Sequence, residues 1–184
     1  PKSPRTALLC FRTRERGLNR IESGQVSGRI VILAGGISSR MKKSVRPDDR
    51  LDPALIAQAG SIAKTMMGVG EGSRPFLDYL LFNIVQAGYD DIVIVVNDKD
   101  ESIRNYYQGR GSDRLLRGAG LSFALQEIPP GREKPMGTAD ALLQAPIARR
   151  DWRGKYLGVC NSDNLYSARA LRMILESPHE NSMI

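Results

Sequence analysis

A pair of glycines behind a short apolar run is the first feature of this sequence that could do chemistry. Gly35 and Gly36 end the run in "IVILAGGISSRMKK" (residues 30–43), and Arg40 follows four positions later. Glycine lets a backbone approach a ligand closely, and the N–H groups exposed in such a turn can bind phosphate oxygens. Arg40 adds a planar guanidinium that suits phosphate. Together these residues predict an anion site, whereas each alone would indicate a tight turn or a surface arginine.

Two further polar clusters also follow apolar runs. Asp163 lies in "NSDN" (161–164), directly after "YLGVC", where a single carboxylate can hold Mg²⁺ while substrate phosphates complete the coordination. An aspartate that only closes a turn explains Asp163 alone equally well. Gln126 closes "LSFALQ", and "KPMGTA" (134–139) comes soon after it. The amide of Gln126 offers both a donor and an acceptor, so it could pair with the edge of uracil, thymine or guanine.

Short apolar runs alternate with helical patterns from residue 29 onward. The apolar spacing from Phe76 to Val85 predicts a helix that Gly88 would end. Thr138 and Ser167 are good N-caps for two more helices. Four strands are predicted, in "RIVILA", "IVIVV" (92–96), "LSFALQ" (121–126) and "YLGVC" (156–160). Nearly continuous apolar strands separated by helices indicate an α/β fold with a mainly parallel sheet covered on both faces.

The polar clusters all lie at the carboxyl ends of predicted strands. Those ends meet at one edge of a parallel sheet, where open α/β folds bind their ligands, so the clusters predict one common site. Their spacing matches neither the Walker A pattern G-x-x-x-x-G-K-[ST] nor the dinucleotide pattern G-x-G-x-x-G. Residues 44–75 interrupt the alternation and predict a loop-like insertion with a short helix near residues 53–60.

Composition limits the classes of function. The 184 residues suffice for one domain, and no apolar run approaches the roughly 20 residues that span a membrane. Six of the basic residues behind the net charge of +7 lie within residues 1–28, so we expect this segment to be a basic, disordered extension of a domain at 29–184. Nucleic-acid binding would depend mostly on that segment, which has no interleaved aromatic residue beyond Phe11. Two cysteines, Cys10 and Cys160, make no disulfide framework, which indicates the cytoplasm, and Cys160 within an apolar run predicts a core thiol.

The order of these motifs resembles the sugar-phosphate nucleotidylyltransferase family, whose members make UDP-, dTDP-, GDP- or ADP-sugars. The resemblance spans residues 29–184 and rests on "LAGGISSRM", a lysine ahead of an apolar helix, "Q…KPMGTADAL" and "VCNSDNLY". It implies a three-layer α/β/α, glycosyltransferase-A-like (Rossmann-like) nucleotide-binding domain. It further implies a nucleoside triphosphate and a sugar 1-phosphate as substrates and Mg²⁺ as cofactor, and it leaves a homo-oligomer open. The family carries a second metal-binding aspartate and most sugar-recognising residues further along, so we expect this chain to stop before the sugar-binding part.

The resemblance also assigns roles to individual residues. Asp163 would bind Mg²⁺, and Arg40 and Lys64 would be the catalytic cations that neutralise the triphosphate. Lys64 lies further from Arg40 than the corresponding lysine usually does, so Lys42 and Lys43 compete for its role. The glycine-rich turn would hold the base and the phosphates, and the later motifs would read the base, which gives these nucleotide-binding residues: Leu33, Ala34, Gly35, Gly36, Gln126, Gly137 and Thr138.

Two other functions stay open at this point. "LAGGISSRM" resembles the opening of molybdenum-cofactor guanylyl- and cytidylyltransferases equally well, although "KPMGTADAL…NSDNLY" suits the sugar enzymes better. The same fold could also serve as a non-catalytic, nucleotide-binding regulatory domain.

In the enzyme, a sugar-phosphate oxygen would attack the α-phosphorus in line, so positioning and electrostatic stabilisation would supply most of the catalysis. The sequence agrees, because its single histidine, His179, lies in a polar stretch and no Ser–His or Cys–His pair is indicated.

Overall fold

The computed structural model describes residues 9–12, 28–36, 62–99, 101–108, 112–177 and 182–183. Seven strands lie within these ranges: β1 (Leu9–Arg12), β2 (Gly28–Ala34), β3 (Gly68–Val69), β4 (Arg74–Pro75), β5 (Tyr89–Asn97), β6 (Gly120–Gln126) and β7 (Tyr156–Asn161). Five of them form the central sheet, side by side in the order β1, β7, β2, β5, β6. The two-residue strands β3 and β4 pair separately and antiparallel.

The central sheet is mainly parallel. β2 runs parallel to both β5 and β7, and β5 runs parallel to β6, whereas β1 is antiparallel to β7. Ile30 of β2 lies opposite Ile92 of β5 on one side and Gly158 of β7 on the other. The four strands predicted from apolar runs are confirmed. β5 and β6 follow β2 on one side of it, whereas β7 lies on its other side. The strand order therefore reverses at β2, and such a switch point leaves a crevice at the carboxyl ends of the strands.

Within the described ranges, five helices connect the strands: α1 (Phe76–Ala87), α2 (Ser102–Gln108), α3 (Ser112–Leu116), α4 (Thr138–Ala148) and α5 (Ala168–Leu175). Gly88 ends α1 in a left-handed conformation with φ 103°, as its sequence position predicts. Ser167 caps α5, because its side chain accepts a hydrogen bond from the Ala170 N–H at 3.2 Å. The N-cap predicted at Thr138 is wrong by one position: Gly137 is the N-cap and Thr138 is the first helical residue.

Helices cover both faces of the sheet, so the three-layer α/β/α architecture is confirmed. Successive strand residues point to opposite faces. Ile30 and Ile32 of β2 pack in a core with α1 and α5, whereas Val31 packs in a second core with Ala141 and Ala145 of α4. All five side chains are buried, and the alternation explains how one apolar strand can hold two helical layers.

Cys160 of β7 lies in the first of these cores. Its side chain is almost fully buried, and that burial raises the pKa of the thiol above its usual range. The prediction of a core thiol is confirmed.

The segments outside the alternating pattern differ from the sequence prediction. Leu9–Arg12 lie in β1 and Gly28 begins β2, so these residues belong to the sheet where a disordered extension over 1–28 was predicted. The short helix predicted near 53–60 lies outside the described residues. Within the rest of the predicted insertion, a 3₁₀ turn at Lys64–Met66 is followed by the β3–β4 pair.

A charged cluster fixes the amino end of β5, away from the polar edge of the sheet. Asp91 accepts hydrogen bonds from Nη1 and Nη2 of Arg149, both at 2.7 Å, and from Nε1 of Trp152 at 2.9 Å. Trp152 is fully buried, and the guanidinium of Arg149 stacks over its ring at 5.0 Å. The cluster therefore joins the segment after α4 to β5.

Candidate functional site

A cleft of about 500 Å³ opens at the carboxyl ends of β2, β6 and β7. All the predicted site residues except Arg40 line it: Leu33, Ala34, Gly35, Gly36, Lys64, Gln126, Gly137, Thr138 and Asp163. Arg40, Lys42 and Lys43 lie outside the described residues. The sequence prediction of one common site is matched by this geometry, while the role of each residue stays a prediction.

The two glycines in the turn after β2 have different surroundings at the cleft. A Cβ atom on Gly36 would have no heavy atom of the described residues within 4 Å, so the backbone there faces the open cleft. A Cβ atom on Gly35 would lie 2.5 Å from Oε1 of Gln126, which is too close for any side chain. Gly36 therefore leaves room for a ligand, and Gly35 leaves room for Gln126.

Gln126, the last residue of β6, is held in place by the start of α4. Only 3% of the residue's surface is exposed. Its Nε2 donates to the Gly137 carbonyl oxygen at 3.0 Å and to Oδ2 of Asp140 at 2.8 Å. Gly137 has φ 114° and ψ −169°, a conformation that side chains rarely adopt, so a glycine is required there. The "KPMGTA" segment thus contributes a turn that binds Gln126 as well as one wall of the cleft.

Lys64 and Asp163 face each other across the cleft. Nζ of Lys64 lies 3.4 Å from Oδ2 of Asp163, and their side chains are 53% and 47% exposed. Asp163 follows β7 by two residues, and the Ser162 N–H between them donates to the Leu33 carbonyl oxygen at 3.1 Å. That bond holds the segment carrying Asp163 against the end of β2. A cation and a carboxylate are therefore fixed beside the same glycine turn.

Three residues of this region were not singled out from the sequence. Lys134 lines the cleft as a further cation and belongs to the quoted "KPMGTA" segment, so the motif itself was the available signal. Thr65, next to Lys64, also lines the cleft, and its buried Oγ1 has no hydrogen-bond partner among the described residues. Asp140 contacts Gln126, and only the fold brings these two residues together.

The arrangement suits a ligand that carries both phosphate and a polar ring. Backbone at Gly36 and the ammonium of Lys64 can bind phosphate oxygens, and Asp163 can bind a hard cation. Gln126 provides a buried amide with a fixed direction.

Each helix in the described part of the chain is too short or too polar to span a membrane.

The sequence profile of the nucleotidyl transferase family matches residues 57–183. The chain belongs to this family. The matched region includes Lys64, Gln126, Gly137, Thr138 and Asp163, whereas the glycine turn lies before its first residue. Gly35 and Gly36 are therefore placed at the cleft by the structure and not by the family match.

The relatives that this chain resembles are much longer than the chain. The chain is 28% identical over 152 residues to the bifunctional protein GlmU of Aquifex aeolicus, an alignment that covers 82% of the chain and 25% of GlmU. It is similar to a UDP-glucose pyrophosphorylase from Acinetobacter baumanii, with a TM-score of 0.49, 21% identity and coverage of 75% of this chain and 46% of that one. It is also similar to HddC from Yersinia pseudotuberculosis complexed with GMP-PN, with a TM-score of 0.48, 24% identity and coverage of 74% and 48%. The chain thus spans about a quarter of the curated relative and less than half of these solved chains.

Proposed function

We propose that this chain is the nucleotide-binding part of a sugar-1-phosphate nucleotidylyltransferase. Such an enzyme transfers a nucleoside monophosphate from a nucleoside triphosphate to a sugar 1-phosphate and releases pyrophosphate. The observation that carries the proposal is the meeting of a glycine turn, a lysine and a carboxylate in one cleft at the carboxyl edge of the sheet. Membership of the nucleotidyl transferase family supports the same reaction.

The reaction requires correctly positioned substrates and positive charge more than it requires a reactive side chain. An oxygen of the sugar phosphate forms a bond to the α-phosphorus, and the bond from that phosphorus to the oxygen bridging to the β-phosphate breaks. The electron pair of the broken bond leaves with pyrophosphate. Since the attacking oxygen is already ionised, no side chain has to remove a proton. Lys64 would offset the charge of the triphosphate, and the open space at Gly36 would let its oxygens approach backbone N–H groups.

Asp163 fits the role of a protein ligand to Mg²⁺. Its carboxylate is about half exposed and borders the cleft. Mg²⁺ commonly takes one or two carboxylates and completes its shell with water and substrate phosphates. The described residues contain no group of three His, Cys, Asp or Glu side chains placed to hold a metal, so Asp163 is the single ligand that this part of the chain would supply. When bound, the ion would neutralise and orient the phosphates.

The test is pyrophosphate release by the intact protein with a panel of nucleoside triphosphates and sugar 1-phosphates. The expected result is release only when both substrates are present, together with a nucleotide-sugar that carries the matching base. A reaction without the sugar phosphate is the control for plain hydrolysis. Triphosphate binding without turnover on any acceptor would contradict the proposed activity and would favour a regulatory domain.

A further inference from the structure

β6 is the outermost strand on one side of the central sheet. Its inner edge pairs with β5, and no strand within the described ranges pairs with its outer edge. The Asp98 N–H donates to the Gln126 carbonyl oxygen at 3.4 Å, so the backbone of Gln126 faces β5. Successive residues of a strand direct their backbone groups to alternate sides. The N–H and C=O groups on the outer edge therefore belong to Leu121, Phe123 and Leu125.

The same three residues carry apolar side chains on one face of the sheet. Leu121 and Phe123 pack only partly against the core, and Leu125 is 42% exposed. A groove of about 530 Å³ separates them from Tyr107 of α2 and Leu116 of α3. β6 contains neither a charged residue nor a proline, which are common protections of a free edge strand. Such an edge is typical of a surface that another strand covers.

The sequence of β6, "GLSFALQ", suits pairing with a second copy of itself. When two copies lie antiparallel around a two-fold axis at Phe123, all seven residues of each strand are paired. Leu121 of one copy then lies opposite Leu125 of the other, and the two Phe123 residues face each other. Each of these pairs joins outward-facing residues, which exchange two backbone hydrogen bonds in an antiparallel ladder. Backbone groups and apolar side chains are thus matched in a single register.

The charges that flank β6 favour the same antiparallel direction. Arg117 lies before the strand and Glu127 directly follows it, and both residues are exposed. The guanidinium of Arg117 lies 5.9 Å from the centre of the Phe82 ring of α1. Antiparallel pairing brings the Glu127 end of each copy to the Arg117 end of the other, whereas parallel pairing would bring like charges together. The edge is therefore complementary to itself in charge as well as in apolar pattern.

We propose that this chain forms a two-fold dimer in which the outer edges of two β6 strands pair antiparallel. The two central sheets then become one continuous sheet, and each copy covers the apolar groove beside the other copy's β6. Both copies use the same edge, so the assembly closes at two chains. β6 ends at Gln126, so the interface adjoins the cleft of each copy. The dimer does not depend on which reaction takes place in that cleft.

Sedimentation velocity over a range of protein concentrations tests the dimer. The unaltered protein should have twice the mass of one chain and should dissociate on dilution. Leu125→Lys places a charge on the outer edge at a half-exposed position and should weaken the dimer by about 10-fold or more. Met173→Lys is the matched control, because Met173 is 58% exposed on α5, which follows β7 on the other side of β2. This control should stay dimeric.

Two results of this experiment would overturn the proposal. The first is an unaltered protein that is monomeric at every concentration. The second is a Leu125→Lys protein that is folded by circular dichroism and dimerises as tightly as Met173→Lys.

Cysteine cross-linking tests the register independently. Phe123→Cys would place two thiols opposite each other at the axis, with Cα atoms about 5.5 Å apart, a separation that a disulfide can span. Leu125→Cys would face Leu121 of the other copy, which leaves its own two thiols about 14 Å apart. Mild oxidation should therefore give a covalent dimer of Phe123→Cys and not of Leu125→Cys. The unaltered protein, with Cys10 and Cys160, is the control for the native thiols. Cross-linking of Leu125→Cys alone, or of neither variant, would overturn this pairing.

Discussion

Nζ of Lys64 lies 3.4 Å from Oδ2 of Asp163, although 99 positions of sequence separate the two residues. Lys64 begins the 3₁₀ turn before β3, and Asp163 follows β7. Because both side chains are about half exposed, the ion pair contributes only about 0–1 kcal/mol to stability. Its consequence is positional: it holds a cation and a carboxylate at the mouth of one cleft, where a triphosphate with its metal could bind between them.

Replacing Lys64 tests the phosphate-binding role directly. Lys64→Ala should weaken UTP binding by about 10-fold, because a charge-assisted bond to phosphate is lost, and should leave uridine binding within about 2-fold. Lys155→Ala removes an exposed lysine just before the amino end of β7 and is the control for net charge. An equal loss for UTP and uridine would argue against a phosphate contact, and Lys42 and Lys43 should then be tested.

Gly36→Val tests whether the turn after β2 borders the ligand. Its Cβ would lie more than 4 Å from every heavy atom in the described part of the chain, so the protein should fold with an unchanged melting temperature. The branched side chain should nevertheless fill the place where backbone meets phosphate and abolish measurable triphosphate binding. Calorimetric titration of the folded variant decides the question. Unchanged affinity would mean that the turn is structural and that the ligand binds elsewhere.

Gly35→Ala should act through protein packing. The added Cβ would lie 2.5 Å from Oε1 of Gln126, and hydrogen bonds to Asp140 and Gly137 hold this buried side chain from its other side. Crowding of this kind destabilises by about 1–3 kcal/mol. Denaturant unfolding of Gly35→Ala should show that loss, and an unchanged free energy of unfolding would mean that Gln126 can move away at little cost.

Asp91 gives a stability prediction remote from the cleft. Asp91→Ala removes the acceptor for the buried Trp152 indole and one of the two carboxylates that bind the Arg149 guanidinium, which would keep only its bonds to the exposed Asp151. The expected loss in free energy of unfolding is about 2–4 kcal/mol. Glu101→Ala, which breaks the more exposed contact with Arg104, should change it by less than about 0.5 kcal/mol. Similar values for the two variants would contradict the role given to Asp91.

The strands and α1 were predictable because local patterns determine them. Val93 and Ile94 lie in a short, nearly continuous run of β-branched residues, which is typical of a strand buried on both faces. Gly88 was predictable as the end of α1, since it adopts the left-handed conformation that glycine favours. The convergence of the polar residues followed from the rule that parallel strands share one carboxyl edge.

The rest depends on contacts that no local pattern contains. The orientation of the Gln126 amide is set by Asp140, and the place of Lys64 is defined by Asp163, which only the folded sheet brings near. Helices α2 and α3 are seven and five residues long, too short for an apolar period to stand out. The pairing of β1 with β7 was missed because β1 is a short apolar run of four residues within a segment whose basic composition predicted disorder.

The central claim, that the cleft binds a nucleoside triphosphate together with Mg²⁺, is tested most directly at Asp163. The measurement is triphosphate affinity with and without Mg²⁺ for the unaltered protein and for Asp163→Asn. Asparagine keeps an oxygen and suits the same turn, but it lacks the charge that holds a hard cation against water. We predict that Mg²⁺ strengthens binding by about 10-fold in the unaltered protein and by less than about 2-fold in a folded Asp163→Asn variant. A variant that keeps the full gain from Mg²⁺ would contradict the account, because Asp163 would then be a turn residue and the metal would be held elsewhere.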